Sequence, residues 1–192
     1  KYLKEEKNTK KKRELQVHRQ GQHLFHAIKD GDIDEILDIV KKNSDIALYC
    51  DHFKQTPLHF CAKRNLYQCI LLFISKGIDI KAQNKGGRTA LYIAAEKNHF
   101  EFATVLLYEI ADPKIATVEG KIPSDVTTDP KLKVVLDRMK ILHYFHCIGK
   151  AQNFYNSVRN GLDFLYTEEI NVNYKQWIQE NNEVIINIEN RK

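Results

Sequence analysis

The sequence predicts an all-α solenoid, a stack of helix-turn-helix units joined by short β-hairpins and followed by a C-terminal helical extension. Two observations carry this. The segment Thr56-Pro57-Leu58-His59-Phe60-Cys61-Ala62 recurs as Thr89-Ala90-Leu91-Tyr92-Ile93-Ala94-Ala95, a displacement of 33 residues. A fixed period of that size marks an architecture in which each repeat is one supersecondary unit that buries its apolar face only against its neighbours. Within each copy, apolar residues fall at helical spacing and stop at Asn or Gly, the pattern of two short helices separated by turns.

Taken in chain order, residues 1–20 form a basic arm. Units then follow at 21–50, 51–83, 84–116 and 117–140, and residues 141–192 form the extension, readable also as a degenerate further repeat. Unit one is an imperfect copy: Leu24-Phe25-His26-Ala27-Ile28-Lys29-Asp30-Gly31 aligns with Leu58 to Asn65 at a displacement of 34. In unit two, Thr56 can accept an orphan N–H and Pro57 loses nothing at the first helical position, so a helix starts there. Leu58, Cys61 and Ala62 make its apolar stripe, Asn65 and Leu66 break it, and Ile70, Leu71 and Ile74 resume the i, i+3, i+4 pattern. Gly77 can take the left-handed conformation that closes the second helix. Ile78-Asp79-Ile80 is then expected to leave in extended form toward the turn at Gly86-Gly87. Unit three repeats the cap at Thr89 but carries Ile110 where unit two has its closing glycine. Unit four has Ile122 where the earlier copies have Thr, and its Asp129-Pro130 arrives early. Extended hairpins are expected near 49–55 and 81–88. Beyond Leu132 a helical pattern runs through Val135, Leu136, Met139, Leu142 and Phe145 to about Ile148. Phe154 to Gly161 again resembles Leu24 to Gly31, and Ile170 to Asn173 resembles an exit strand.

These residues carry a family resemblance. Thr56-Pro57-Leu58-His59, the 33-residue step, Ser75-Lys76-Gly77-Ile78-Asp79-Ile80 and Gly87-Arg88-Thr89-Ala90-Leu91 resemble ankyrin repeats. The resemblance is clear over 51–110 and degenerate on both sides, as the polar end faces of a repeat stack require. It implies that His59 is a ring hydrogen-bonded within the stack rather than a catalyst. It also implies an extended concave binding surface made from hairpin tips and the exposed side of each first helix. By position, unit two contributes His52, Phe53, Gln55, Lys63 and Arg64 to that surface, unit three Lys85, Arg88, Glu96 and Lys97, and unit four Glu119 and Lys121. Phe53, the large apolar side chain at a tip, is the natural anchor for a protein partner; the alternative is that it tucks beneath its own hairpin.

The formal net charge of +5 sits in the arm: residues 1–20 hold eight basic side chains against three acidic ones, Lys10, Lys11, Lys12 and Arg13 forming the densest run, and the remaining 22 of each sign cancel. Such an arm suits an acidic partner, although a solvated leader is the plainer explanation. With 43% apolar and 29% charged residues the composition is that of a globular chain. No stretch approaches the roughly 18 apolar residues of a membrane span, Cys69 to Ile74 being typical of the short runs present. The charged start at Lys1 gives no signal peptide to read and leaves a processed or trimmed terminus open. Cys50, Cys61, Cys69 and Cys147 form no C-x-x-C pair, which fits a reducing, cytoplasmic compartment, and Cys61 and Cys69 read as core residues.

Eight histidines invite a search for chemistry. His23 with His26, and His143 with His146, are each three apart on a helical face, but neither pair belongs to a ligand motif such as H-E-x-x-H, and His143 with Cys147 gives too few ligands for structural zinc. No phosphate-binding loop, nucleophile elbow or dinucleotide fingerprint occurs, and Gly86-Gly87 is explained by its turn. The expectation is a non-enzymatic chain with no catalytic, cofactor or metal residues and no small-molecule substrate. It is read as a scaffold or adaptor docking an acidic protein surface, in a setting such as a large cytoskeletal or axonemal assembly. The alternatives are nucleic-acid binding through the arm and a regulatory module of a longer enzyme or channel.

Overall fold

The computed structural model describes the backbone of residues 2–109 and 111–147, and side chains for 11–12, 14–109 and 111–140. Among these residues there are eight α-helices and no strands, and the helices pair into four units. Unit one combines the C-terminal part of α1 (Tyr2–Asp30) with α2 (Ile33–Lys42). Unit two is α3 (Pro57–Arg64) and α4 (Ile70–Ser75), unit three α5 (Ala90–Glu96) and α6 (Phe100–Tyr108), and unit four α7 (Pro123–Val126) and α8 (Pro130–Cys147). The sequence resemblances at 154–161 and 170–173 and the Asn-rich end lie outside the described residues, as does Ile110.

Each helix has a visible local cause. Asp32 accepts the Glu35 N–H at the start of α2, Asp34 and Glu35 occupy its first turn and Lys41 and Lys42 its last, so side-chain charge complements the helix dipole at both ends. Thr89 accepts the Tyr92 N–H and caps α5. At α7 the apolar Ile122 has no oxygen to offer; Asp125 instead accepts the Ile122 N–H from within the helix, and α7 is one turn long.

The core is one continuous layer running through the stack. Leu24, Ile28, Ile36, Leu58, Ile70, Phe73, Leu91, Phe102, Leu106 and Leu136 are fully or almost fully buried. Each side chain of this size stabilises by roughly 1.5–3 kcal/mol on burial. Cys61 and Cys69 belong to this layer. Burial, reinforced by Cys69 beside it, pushes the Cys61 thiol well above its ordinary range, which keeps it protonated and unreactive.

The 33-residue frame is most visible in its turns. Gly31, Asn65 and Asn98 stand at equivalent positions after the first helix, and all three have positive φ. Asparagine does more there than glycine can. Asn65 accepts the Phe102 N–H and donates to Glu101 of the next unit. Asn98 accepts from Thr127 Oγ1 and from the Thr128 and Asp129 backbone, and donates to Thr128 Oγ1. Each therefore ties its own unit to the one that follows.

Two expectations change in detail. The hairpin tips pair without forming strands: Asp51, Asn84 and Thr117 donate backbone N–H groups to the carbonyls of Gln55, Arg88 and Lys121. The exit from unit two is bent rather than extended from Ile78 onward, because the Asp79 carboxylate accepts the Lys81 N–H and its carbonyl accepts from Ala82. Asp112, one step later, accepts the Lys114 N–H in the same way. A short polar side chain that bonds two residues ahead is a turn former, and it outcompeted the apolar alternation around it.

The basic arm is helical and continuous with unit one, since α1 runs without a break past residue 20. Its last residues are tied down: His18 Nδ1 lies 2.7 Å from Tyr49 Oη, and Gln20 accepts from Asn43 at 2.8 Å. The Tyr49 ring lies so close to Gly21 that an added Cβ there would sit 2.2 Å from it, which makes glycine necessary inside this helix. Toward the N-terminus from His18, Leu15, Val17, Lys11 and Lys12 are exposed. The side chains of Lys10 and Arg13 lie outside the described ones.

Candidate binding face

The tips are built by one device used three times. Asp51 Oδ1 accepts the N–H groups of Phe53 and Gln55, Asn84 Oδ1 those of Gly86 and Arg88, and Thr117 Oγ1 that of Lys121. Successive tips are then joined backbone to backbone, Lys85 N–H to the Phe53 carbonyl at 2.9 Å and Val118 N–H to the Gly86 carbonyl at 3.2 Å. Residues 54, 87 and 120 all have positive φ; Gly87 and Gly120 meet that requirement without strain, and Lys54 meets it in unit two. The result is a ladder of tips whose side chains project from a fixed backbone.

His59 couples the first helix of unit two to the next tip. Its Nδ1 lies 3.1 Å from the Thr56 N–H and 2.8 Å from Thr56 Oγ1, while Nε2 lies 2.9 Å from the Arg88 carbonyl. A carbonyl can only accept, so Nε2 carries the proton and Nδ1 the lone pair. Burial lowers the ring's pKa below its ordinary 6.5, against the opposing pull of the Arg88 carbonyl, and the neutral form is the one this geometry uses. The expected structural role of His59 is what the structure shows.

The remaining residues expected on the face fall into three groups. Phe53 is 51% exposed and does not tuck under its hairpin; the His52 ring packs on it at 3.9 Å and Lys85 Nζ approaches its centroid at 6.0 Å. In unit three, Arg88 pairs with Glu96 at 3.2 Å and lies over the Tyr92 ring at 5.5 Å, and in unit four Lys121 pairs with Glu119 at 3.3 Å. The charges of these two units are thus largely answered within the chain. In unit two Lys63 bonds to the Gln55 amide oxygen, a neutral acceptor, and Arg64 and Lys97 are exposed at the ends of α3 and α5. Desolvation lowers the Lys63 pKa, and the charges of Lys29, Arg88 and Lys97 push the same way against Asp51.

Four residues on this face were not picked out from sequence. Phe60 stacks on Phe25 at 4.2 Å between centroids, and Lys63 and Lys29 reach its ring at 4.8 and 5.7 Å. Tyr92 supports Arg88, and Val118 is exposed at the unit four tip. Lys29 had a signal available, since it aligns with Lys63 at the 34-residue displacement. Among the described residues no three His, Cys, Asp or Glu side chains are grouped so as to hold a metal ion, and no helix is long and apolar enough to cross a membrane.

Comparison with known proteins follows the same residues. The family model described as ankyrin repeats (3 copies) matches residues 24–117. Inversin from Gallus gallus is 30% identical over 105 residues, covering 55% of this chain and 10% of that protein. The nuclear factor NF-kappa-B p105 subunit from Mus musculus is 36% identical over 111 residues, covering 55% of this chain and 11% of that protein. The probable E3 ubiquitin-protein ligase XBOS32 from Oryza sativa subsp. japonica is 30% identical over 88 residues, covering 45% of this chain and 18% of that protein. The chain therefore spans less than a fifth of the length of these curated relatives.

Proposed function

We infer the function from one premise: residues 24–117 belong to the ankyrin repeat family. Ankyrin repeats are protein–protein interaction modules, so binding a protein partner is the coarse function of this region. The finer reading is that the chain acts as a scaffold or adaptor whose tips and first helices dock an acidic protein surface. The observation that carries it is the pairing, on one face, of a half-exposed aromatic tip at Phe53 with lysines at 29, 63, 85 and 97 that have no carboxylate partner among the described residues. An aromatic anchor supplies affinity and exposed charges steer encounter.

The test is to identify a partner by pull-down and then measure binding kinetics at low and high salt. Phe53→Ala is expected to raise the dissociation rate and cost about 2 kcal/mol with little salt dependence. Lys63→Glu is expected to slow association mainly in low salt, and Arg88→Glu also to set two acids side by side at Glu96. If all three variants bind like the parent while removal of the arm abolishes binding, the face is not the site. The arm, with Lys11 and Lys12 exposed on a helix, would then take its place as a contact for nucleic acid or an acidic surface. Membership of a cytoskeletal or axonemal-type assembly rests on that basic arm alone. A regulatory role within a longer protein is favoured by the small share of each relative that the match covers.

A further inference from the structure

The lysines of the face have an order that the repeat frame itself produces. Lys29, Lys63 and Lys97 are separated by 34 residues at each step, one lysine in each of units one, two and three. All three are exposed at or just beyond the ends of the first helices, in the last turn of α1 and of α3 and at the cap that closes α5. Lys29 and Lys63 reach the same Phe60 ring, at 5.7 and 4.8 Å from its centroid, so they are neighbours across the unit boundary. Lys63 in turn feels the charge of both Lys29 and Lys97. The acids nearest to this row are committed elsewhere: Asp30 to His26, Glu96 to Arg88, and Asp51 to the backbone of its own tip. A row of like charges with no internal counter-ion is unfavourable in the free protein, and an anion laid along it relieves the repulsion.

The spacing selects the anion. Packed helices lie about 8–10 Å apart, so the row offers one cation about every 10 Å along the stack. A peptide in polyproline II conformation advances about 3.1 Å per residue with three residues per turn, returning a side chain to the same side after about 9 Å. Nucleic acid carries charge far more densely, about one phosphate per 3.4 Å of rise on each strand, and three separated lysines would leave most of it unanswered.

We propose that Lys29, Lys63 and Lys97 form a ladder that reads an extended acidic peptide segment of the partner, with a carboxylate at every third residue, running along the stack from unit one to unit three. The Phe60 ring holds the first two ammonium groups in place, limiting the side-chain freedom lost on binding. The ladder rests on the reading of this face as the docking surface and adds to it the partner's conformation and charge spacing.

The experiment uses the full chain and fluorescent synthetic peptides measured by polarisation in low and high salt. One peptide repeats Glu-Ser-Pro three times, a second has the same composition with its glutamates contiguous, and a short DNA duplex is the third probe. The spaced peptide is expected to bind most tightly, and Lys29→Glu, Lys63→Glu and Lys97→Glu are each expected to weaken it by about fivefold, the upper end for an exposed ion pair, while Lys121→Glu leaves it unchanged. Equal binding of the two peptides, or indifference to Lys97→Glu, overturns the ladder. Tighter binding of the duplex through the same three lysines overturns the peptide as occupant. If neither peptide binds while a captured partner remains sensitive to Phe53→Ala, the ladder fails and the docking face stands.

Discussion

Units two and three share one frame and differ at a few positions on it. Both have a Thr at the helix start, an Asn in the left-handed conformation after the first helix, and a tip held by an Asp or Asn side chain. At one equivalent position unit two has His59, whose ring reaches the Arg88 carbonyl of the next tip, and unit three has Tyr92, which lies beneath Arg88. At another, unit two has Lys54 and unit three Gly87, both with positive φ. On the first helix Lys63 finds only a neutral amide, whereas Arg88 and Glu96 pair across unit three. The frame residues are satisfied in the same way in both copies, and the differences fall on the linkage to the next unit and on the face. Fold and recognition are thus written at separate positions of the same repeat.

The comparison breaks most sharply at the tips. A Cβ at Gly87 would lie 2.7 Å from the Val118 nitrogen and 3.0 Å from Thr117, all backbone atoms of the next tip. Gly87→Ala is expected to cost about 2–4 kcal/mol, combining the left-handed penalty with a backbone displacement. At the matching place, Lys54→Gly should change stability by within about 1 kcal/mol, relief of φ strain offsetting the added freedom of the unfolded chain. Urea denaturation of the two proteins measures this, and equal losses would show that the tips of the two units are not equivalent.

A smaller effect separates His59 from Tyr92. His59→Gln removes the link to the Arg88 carbonyl and is expected to cost about 1–2 kcal/mol. It should also flatten a pH dependence. Because burial holds the folded ring below the ordinary 6.5, the unfolded chain binds the proton first. The parent's stability is therefore fully present above about pH 6.5 and falls as pH drops through the folded pKa. Tyr92→Phe, with no ring nitrogen involved, should leave the slope untouched. Melting curves across that window decide it; a parent whose stability is level through the window would mean that His59 is not held neutral.

The smallest expected effect lies in the arm, where the ordered contacts stop at His18. Removing residues 1–17 should change stability by less than about 0.5 kcal/mol, as Leu15 and Val17 are exposed. Removing 1–20 should cost about 1 kcal/mol more, through the bonds of His18 to Tyr49 and of Gln20 to Asn43. Thermal unfolding of the two truncations checks the step between them.

The repeat, its caps and its core were legible in the sequence by itself. A 33-residue recurrence of Thr-x-Leu, small apolar residues and an Asn or Gly stop is local information, since propensity, capping and periodicity act within a few residues of the chain. The structural role of His59 came with the family resemblance, because its partner stands 29 residues away. What only the tertiary structure decided was which charges meet. That Arg88 is answered by Glu96 and Lys63 by an amide, that Lys29 and Lys63 share the Phe60 ring, and that Tyr49 covers Gly21 and ends the free part of the arm all depend on side chains brought together by stacking. Periodicity says that two positions are equivalent in their own units. Whether long side chains at those positions reach one another depends on how one unit is rotated on the next, and that is set by the packing of the buried layer between them.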